Sequence, residues 1–426
     1  MTSSRLVFVF LVCALVFGIS GCERRSAGGP VEIVYWTGWS GHELEVQRRL
    51  VARFNREHPH IRVKLLSVFG SYQKVTIAFA GGDTPDVLSA VWADQLAGYA
   101  MRGALTPLDD YLDESGRKAS EWAPGVWRML QYEGHTYALA ATTNSTFIAY
   151  NKDIFRRSGI SSRPKTIAEL DVVARKCTKY GPDGRFIRYG FRPSGLAAWA
   201  YVFGGTWYDP ETGRVTANNP KNVEALKWIA SYGSSYDIRK MQSFESTFGS
   251  IETVSGPFFV GKTAMWMTGE WSGRFVDRYA KGLNWGYFPL PYPPGGRPRA
   301  MSLGGSVFAI PSACRHKKEA WEFLNWICGP EAVSEFCYGI GNIPPLKAVA
   351  ASPRFRKDPL LAFAGDLITS ENAFGPPQMP VWPTYANEIN RAEGFAVFGG
   401  EDPKKLLDRV QTKMEQELAD AMEGRK

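Results

Sequence analysis

VEIVYWTGWSGHELEVQRRLVARFNREHPHIRVKLLSV, residues 31–68, carries the pattern that decides the fold. VEIVYW (31–36) is an apolar-rich run of strand length. The segment Glu43 to Asn55 then places Val46, Leu50, Val51 and Phe54 on one side of a helix. IRVKLLSV (61–68) alternates apolar and polar residues as a second strand does. A further helical segment starts at Tyr72, and PDVLSAVW (85–92) reads as a third strand. Strand, helix, strand, helix, strand predicts an α/β lobe with a mostly parallel sheet.

Working outward, the later chain repeats both kinds of signal. Thr166-Ile167-Ala168-Glu169 is a capping box, and Leu170, Val173, Ala174 and Cys177 behind it form one apolar face. Glu319 to Cys328 sets Ala320, Phe323, Leu324 and Ile327 on one side. Asp402-Pro403 is an N-cap followed by proline at the first helical position. It opens a final helix with Leu406, Leu407, Val410, Met414 and Leu418 on its apolar stripe. With 426 residues the chain exceeds one ordinary core, so two lobes are expected. No repeat or long linker separates them. The chain therefore passes between lobes more than once, with TFIAYNK (146–152) and SVFAIPS (306–312) as expected crossing points.

Net charge is +8, yet Lys and Arg are dispersed and interleaved with acids, as in ESGRK (114–118) and DPKKLLDR (402–409). No basic stripe of the kind that contacts phosphates is present, which argues against nucleic-acid binding. Arg5 precedes the apolar run LVFVFLVCALVFGIS (6–20), which falls short of the ~20 residues a membrane span needs and reads as a secretory leader. It ends in ISGC (19–22), which resembles a bacterial lipobox, with Ile19 where leucine is usual. This makes Cys22 the expected lipidated first residue, residues 1–21 the signal peptide and residues 22–30 a polar tether. Cys177 is expected in a core. An exported compartment would permit a disulfide among Cys314, Cys328 and Cys337, in a pairing the sequence leaves open.

Catalytic and metal-site motifs are missing. GxGxxG, GxSxG and HExxH do not occur. His58-Pro59-His60 reads as a solvent-facing turn rather than a metal site, and Asp109-Asp110 as acids at a helix start. What remains is a set of aromatic and small polar residues beside strand ends: GWSG (38–41), WAD (92–94), ATTNS (141–145), GGTWYD (204–209), TGEWSG (268–273) and LGGS (303–306). Ligands of open α/β sheets bind beyond the carboxyl ends of strands. Flat apolar rings with directed hydrogen-bonding groups suit a sugar, whose rings present C–H faces and a rim of hydroxyls. In GKTAMWMTGEWSG (261–273), Trp266 alternates with Ala264 and Thr268 on a strand and is expected in a core, while Trp271 lies past Gly269.

The segments RFNREHPHIRV (53–63), GGDTPDVLSAVWADQLAGYAMRGALTPLDDYL (81–112), AYNKDIF (149–155), FVGKTAMWMTGEWSG (259–273) and AWEFLNWICGPEAVSEF (320–336) together resemble the extracellular solute-binding proteins of ABC importers, in the sugar-binding group that includes maltose-binding proteins. The resemblance covers nearly all of the mature chain. It implies a two-lobed α/β fold of the Venus-flytrap type closing about a hinge. The lobes would be residues 31–144 with 304–350, and 145–303 with 351–426. It further implies an acidic ligand residue, Asp94, beside the aromatic Trp92. Asn144 would face the cleft where maltose-binding proteins carry Glu. Trp271 would stack on the ligand, with Trp39, Trp207, Gly305, Trp382 and Tyr385 as further site candidates. The implied partners are a carbohydrate, the membrane subunits of an ABC permease, and a membrane reached through the lipid anchor. The implied role is capture without catalysis, cofactor or metal. The alternatives are an exported carbohydrate-active enzyme, or the same fold holding a polyamine or peptide.

Overall fold

The structure is a computed structural model, and it describes residues 29–248 and 253–424. The expected leader and Cys22 lie outside the described residues.

The opening stretch folds as its pattern dictates. β1 (Val31–Thr37), α1 (Gly41–Glu57), β2 (Ile61–Ser67), α2 (Tyr72–Gly81) and β3 (Val87–Trp92) follow one another. β1 pairs in parallel with both β2 and β3. α1 buries Val46, Leu50, Val51 and Phe54, the face its periodicity marks, together with Gln47. Gln47 is inside with its Oε1 accepting from the Tyr35 hydroxyl at 2.8 Å, which satisfies half of its amide, while Nε2 has no hydrogen-bond partner among the described residues. α3 (Leu96–Met101) lies just past β3. Three short strands, β4 (Gln131–Tyr132), β5 (His135–Thr136) and β6 (Leu139–Ala140), precede β7 (Phe147–Asn151). The first sheet runs β2-β1-β3, then strand Ser306–Ala309, then β6, the last two joining antiparallel.

The second lobe departs from the parallel expectation. β7 is the middle of a three-stranded antiparallel sheet between Met265–Thr268 and Trp285–Phe288. The two expected crossing segments are thus strands inside opposite lobes. The chain passes between lobes just before each, where Asn144 donates its backbone N–H to Gly304 O at 3.2 Å. A third passage corrects the expected boundary at 350/351. Phe355, Leu361, Ala364, Leu367 and Ala373 pack into the first core, and only from Met379 does the chain join the second. The apolar pattern of helix Pro359–Ile368 says that it is buried, but both cores offer it the same chemistry.

Other local expectations hold. Glu169 N donates to Thr166 Oγ1 at 3.2 Å, closing the capping box. Asp402 accepts from Lys405 N at 2.9 Å and starts the last helix, Pro403–Glu423. Trp266 is buried against Phe258 and Phe259. Asp109 sits in the first turn of helix Asp109–Ser115 and accepts from Thr136 N at 3.1 Å. His58 stacks on Phe54 with ring centroids 4.1 Å apart, so it is held against the helix rather than turned fully to solvent. Cys177, Cys314, Cys328 and Cys337 are buried free thiols. Cys337 donates to Ala141 O at 3.1 Å and Cys314 to Asp86 Oδ1 at 3.2 Å, each in its own surroundings rather than bridged to another.

Candidate functional site

A cavity of about 850 Å³ lies where the two lobes meet. Its first-lobe wall comes from the end of β3, where Trp92, Ala93 and Asp94 leave the sheet, and from the β4–β5 hairpin. The opposite wall comes from helix Leu196–Val202, the segment Thr206–Tyr208 and the start of helix Trp382–Gly399. Asn144, Gly304 and Gly305 lie between the walls, at the passage from lobe to lobe.

Six sequence-expected residues meet here: Trp92, Asp94, Asn144, Trp207, Gly305 and Trp382. Two more stand one layer behind. Trp39 packs edge-on against Trp92 at 5.9 Å and against Phe336 at 5.8 Å, so it fixes the Trp92 ring from the core side. Tyr385 is fully buried, meets the Trp207 and Trp382 rings at 5.9 and 5.4 Å, and donates its hydroxyl to Trp207 O at 3.0 Å. Trp207 itself spends its indole N–H on Ala197 O at 3.0 Å. Its polar atom is satisfied inside the protein, which leaves the ring as a rigid apolar wall. Trp271 is not among the cavity's lining residues. It is half-buried at the start of helix Ser272–Tyr279, with its ring folded back where a Cβ on Gly269 would stand.

Asp94 is the site's unspent polar group. Its Oδ1 is buried and has no hydrogen-bond partner among the described residues. Burial pushes its carboxyl above the usual range, only partly offset by its own backbone N–H. A buried acceptor without a donor costs about 1–3 kcal/mol, and a ligand hydroxyl placed there removes that cost.

Sequence reasoning missed Tyr201, Phe374 and Arg128. Tyr201 and Phe374 stack with centroids 3.8 Å apart, and the Arg297 guanidinium lies 3.9 Å from the Tyr201 ring centroid. Arg297 also donates to the Tyr201 and Gly205 carbonyls at 2.8 and 2.7 Å, which fixes the helix end that presents the ring. These partners are far apart in sequence, and no local pattern could have paired them. The β4–β5 tip did carry a signal: Glu133-Gly134 between QY and HT is a two-residue turn, and both residues take positive φ, 47° and 83°.

Below the cavity, Glu270 is buried where the lobes join. Its Oε2 accepts from Ser145 N at 2.9 Å and Ser145 Oγ at 3.0 Å, while Oε1 has no side-chain hydrogen-bond partner among the described residues. Burial pushes its carboxyl up to about 7, against the lowering effect of the Ser145 backbone.

Comparison with known proteins gives a consistent result. Residues 43–334 match the profile of the bacterial extracellular solute-binding protein family. The chain is 24% identical over 407 residues to a maltotriose-binding protein of Pyrococcus abyssi, covering 93% of this chain and 83% of that one. It is 26% identical over 427 residues to an sn-glycerol-3-phosphate-binding periplasmic protein of Brucella suis, covering 93% and 95%. Among solved structures, CpMnBP1 with mannotriose bound superimposes with a TM-score of 0.80 at 28% identity, over 90% of this chain and 99% of that one.

Proposed function

The chain belongs to the bacterial extracellular solute-binding proteins, and from that premise we propose that it captures a sugar or oligosaccharide between its lobes and delivers it to the membrane subunits of an ABC importer. One observation carries the sugar reading. The same cavity joins the indole walls Trp92, Trp207 and Trp382 to a buried carboxylate oxygen, Asp94 Oδ1, that has no donor. Pyranose C–H faces stack on the first, and a hydroxyl donates to the second. Asn144, at the passage between lobes, supplies an amide that can both donate and accept.

The action is capture followed by release, with no bond made or broken. Because residues of both lobes line the cavity, a ligand there gains more contacts when the lobes are closed. It shifts the hinge equilibrium by that difference in affinity and by nothing else. Among the described residues no helix is long and apolar enough to cross a membrane. Lipidation of Cys22, with residues 23–30 as tether, would keep the protein beside its permease.

A second reading has its own observation. Arg128 lies in the cavity wall, and the Brucella suis relative is named for sn-glycerol 3-phosphate, so a phosphate-bearing polyol is the competing ligand. Asp94 opposes it, since a buried carboxylate repels an anion. A thermal-shift screen of the mature chain separates the two. It would use mono- and oligosaccharides, glycerol 3-phosphate, polyamines and peptides. Binding stabilises by about 2.7 kcal/mol at a hundredfold excess over Kd. A shift with a saccharide is the expected result; a shift confined to glycerol 3-phosphate, a polyamine or a peptide overturns the sugar assignment.

A further inference from the structure

We propose that the second lobe carries a separate anion site, which takes a phosphoryl group borne on a ring or other apolar body. It goes beyond the sugar reading and does not depend on it.

The sequence scatters its basic residues, but the fold gathers five of them. Lys152, Arg156, Arg163, Lys165 and Arg299 line one pocket of about 1010 Å³, and no Asp or Glu is among its lining residues. The pocket shares no residue with the central cavity. Two loops of similar sequence form part of its rim, SSRPK (161–165) and GGRPR (295–299). They are tied together through Tyr292, whose N–H donates to Lys165 O and whose carbonyl accepts from Ile167 N, each at 3.3 Å. Arg297 turns away, to the carbonyls of Tyr201 and Gly205. Arg299 instead lines the pocket. Its backbone is left-handed, with φ 52°, a region that side chains rarely adopt. Its Nη2 is held on Asp366 O at 3.0 Å.

The charge gathered here is not neutralised. Lys152, Arg163, Lys165 and Arg299 have no carboxylate ion pair among the described residues, because the neighbouring acids have other partners. Asp153 pairs with Arg156 at 3.0 Å, and Asp366 pairs with Arg356 at 2.6 Å. Glu169 accepts from the backbone N–H of Lys165 at 2.6 Å and closes the capping box. Cations set round one pocket without a counter-charge repel one another, and a bound anion relieves that repulsion. Arg163 and Arg299 supply planar forks that match two phosphoryl oxygens, and Lys152 and Lys165 supply point charges.

The floor decides what carries the anion. Tyr150 meets the Phe155 and Phe288 rings at 4.5 and 5.6 Å, and Tyr292 and Phe363 extend the aromatic surface. A rigid aromatic base under a cationic rim suits a phosphoryl group attached to something flat or apolar. The central cavity disfavours the same ligand, since the buried Asp94 carboxylate repels an anion.

The test is calorimetric titration of the mature chain from Glu23 onward, without the lipidation site, using phenyl phosphate and inorganic phosphate at low ionic strength. Phenyl phosphate is expected to bind more tightly than inorganic phosphate, because its ring adds contact with the floor. Its binding should weaken as salt rises from about 20 to 200 mM, since the cations lie in reach of solvent ions. The double variant Arg163→Ser, Lys165→Ser is expected to raise its Kd about tenfold, or about 1.4 kcal/mol. Lys152→Ser, a single change on a separate segment, should raise it as well. Co-sedimentation with phosphatidylcholine vesicles, with and without phosphatidylglycerol, tests a lipid headgroup as the source. Binding to the anionic vesicles alone, lost in the double variant, keeps the site and assigns it to the membrane surface. Absence of binding to either probe overturns the proposal, as does binding that all the variants retain. Phenyl phosphate binding that Arg128→Ala removes and the double variant keeps places the anion in the central cavity and also overturns it.

Discussion

Asp94 shows how much one residue can say. It follows a strand whose pattern is plain, beside Trp92, and those two facts alone put both at a strand's carboxyl end in a crevice. The fold then strips one carboxylate oxygen of partners. Asp94→Asn is expected to weaken saccharide binding by about 1.5–3 kcal/mol, the range for hydrogen bonds to charged groups, with no loss of melting temperature. An unchanged Kd by titration would remove Asp94 from the site. Trp92→Ala is expected to cost about 1–3 kcal/mol in the same assay, as losing a buried aromatic anchor does. Other residues were less legible. In Gly269–Trp271 the sequence tells that the indole leaves the strand, but not on which side its ring settles. The Tyr201–Phe374 stack brings together residues that share no element, and only the closed chain shows it.

At the scale of elements, the strands and helices of residues 31–92 and the caps at Thr166 and Asp402 were readable because local periodicity and capping chemistry decide them. The lobe to which helix Pro359–Ile368 belongs was not, because burial has no address in sequence. The passage between lobes gives a prediction of its own. Glu270 is buried there with its carboxyl at about 7, above the ordinary value of 4.5. Between these values the folded protein binds more protons than the unfolded chain, so stability falls as pH rises from about 4.5 through 7 and stays lower above. Glu270→Gln keeps an acceptor for Ser145 and removes the charge. It should flatten that fall by on the order of 2 kcal/mol between pH 5 and pH 8, read from denaturant melts. An unchanged pH profile would mean that Glu270 does not carry the dependence. A second contact concerns closure. A Cβ placed on Gly98 of α3 would stand 2.9 Å from the carbonyl oxygen of Pro380. Pro380 borders the helix Trp382–Gly399 of the second lobe, so Gly98 permits the two lobes to touch. Gly98→Leu should hold them apart and raise the saccharide Kd about tenfold or more, with the first core intact. An unaltered Kd would show that closure does not use this contact.

For the whole molecule, two cores and one seam explain both the size of the chain and the position of the cavity. Length predicts two lobes, since one core cannot serve 426 residues. That the ligand belongs at the seam does not follow from length. It follows from aromatic and polar residues at strand ends of both lobes being brought face to face. Neither lobe alone supplies Trp92 and Asp94 together with Trp207 and Trp382. The proposed capture at this seam requires that a ligand there draw the lobes together. Small-angle X-ray scattering of the mature protein, with and without the saccharide that most raises its melting temperature, measures this directly. A smaller radius of gyration in the saccharide-bound protein is the predicted result. A saccharide that binds by calorimetry yet leaves the radius unchanged would contradict capture between the lobes.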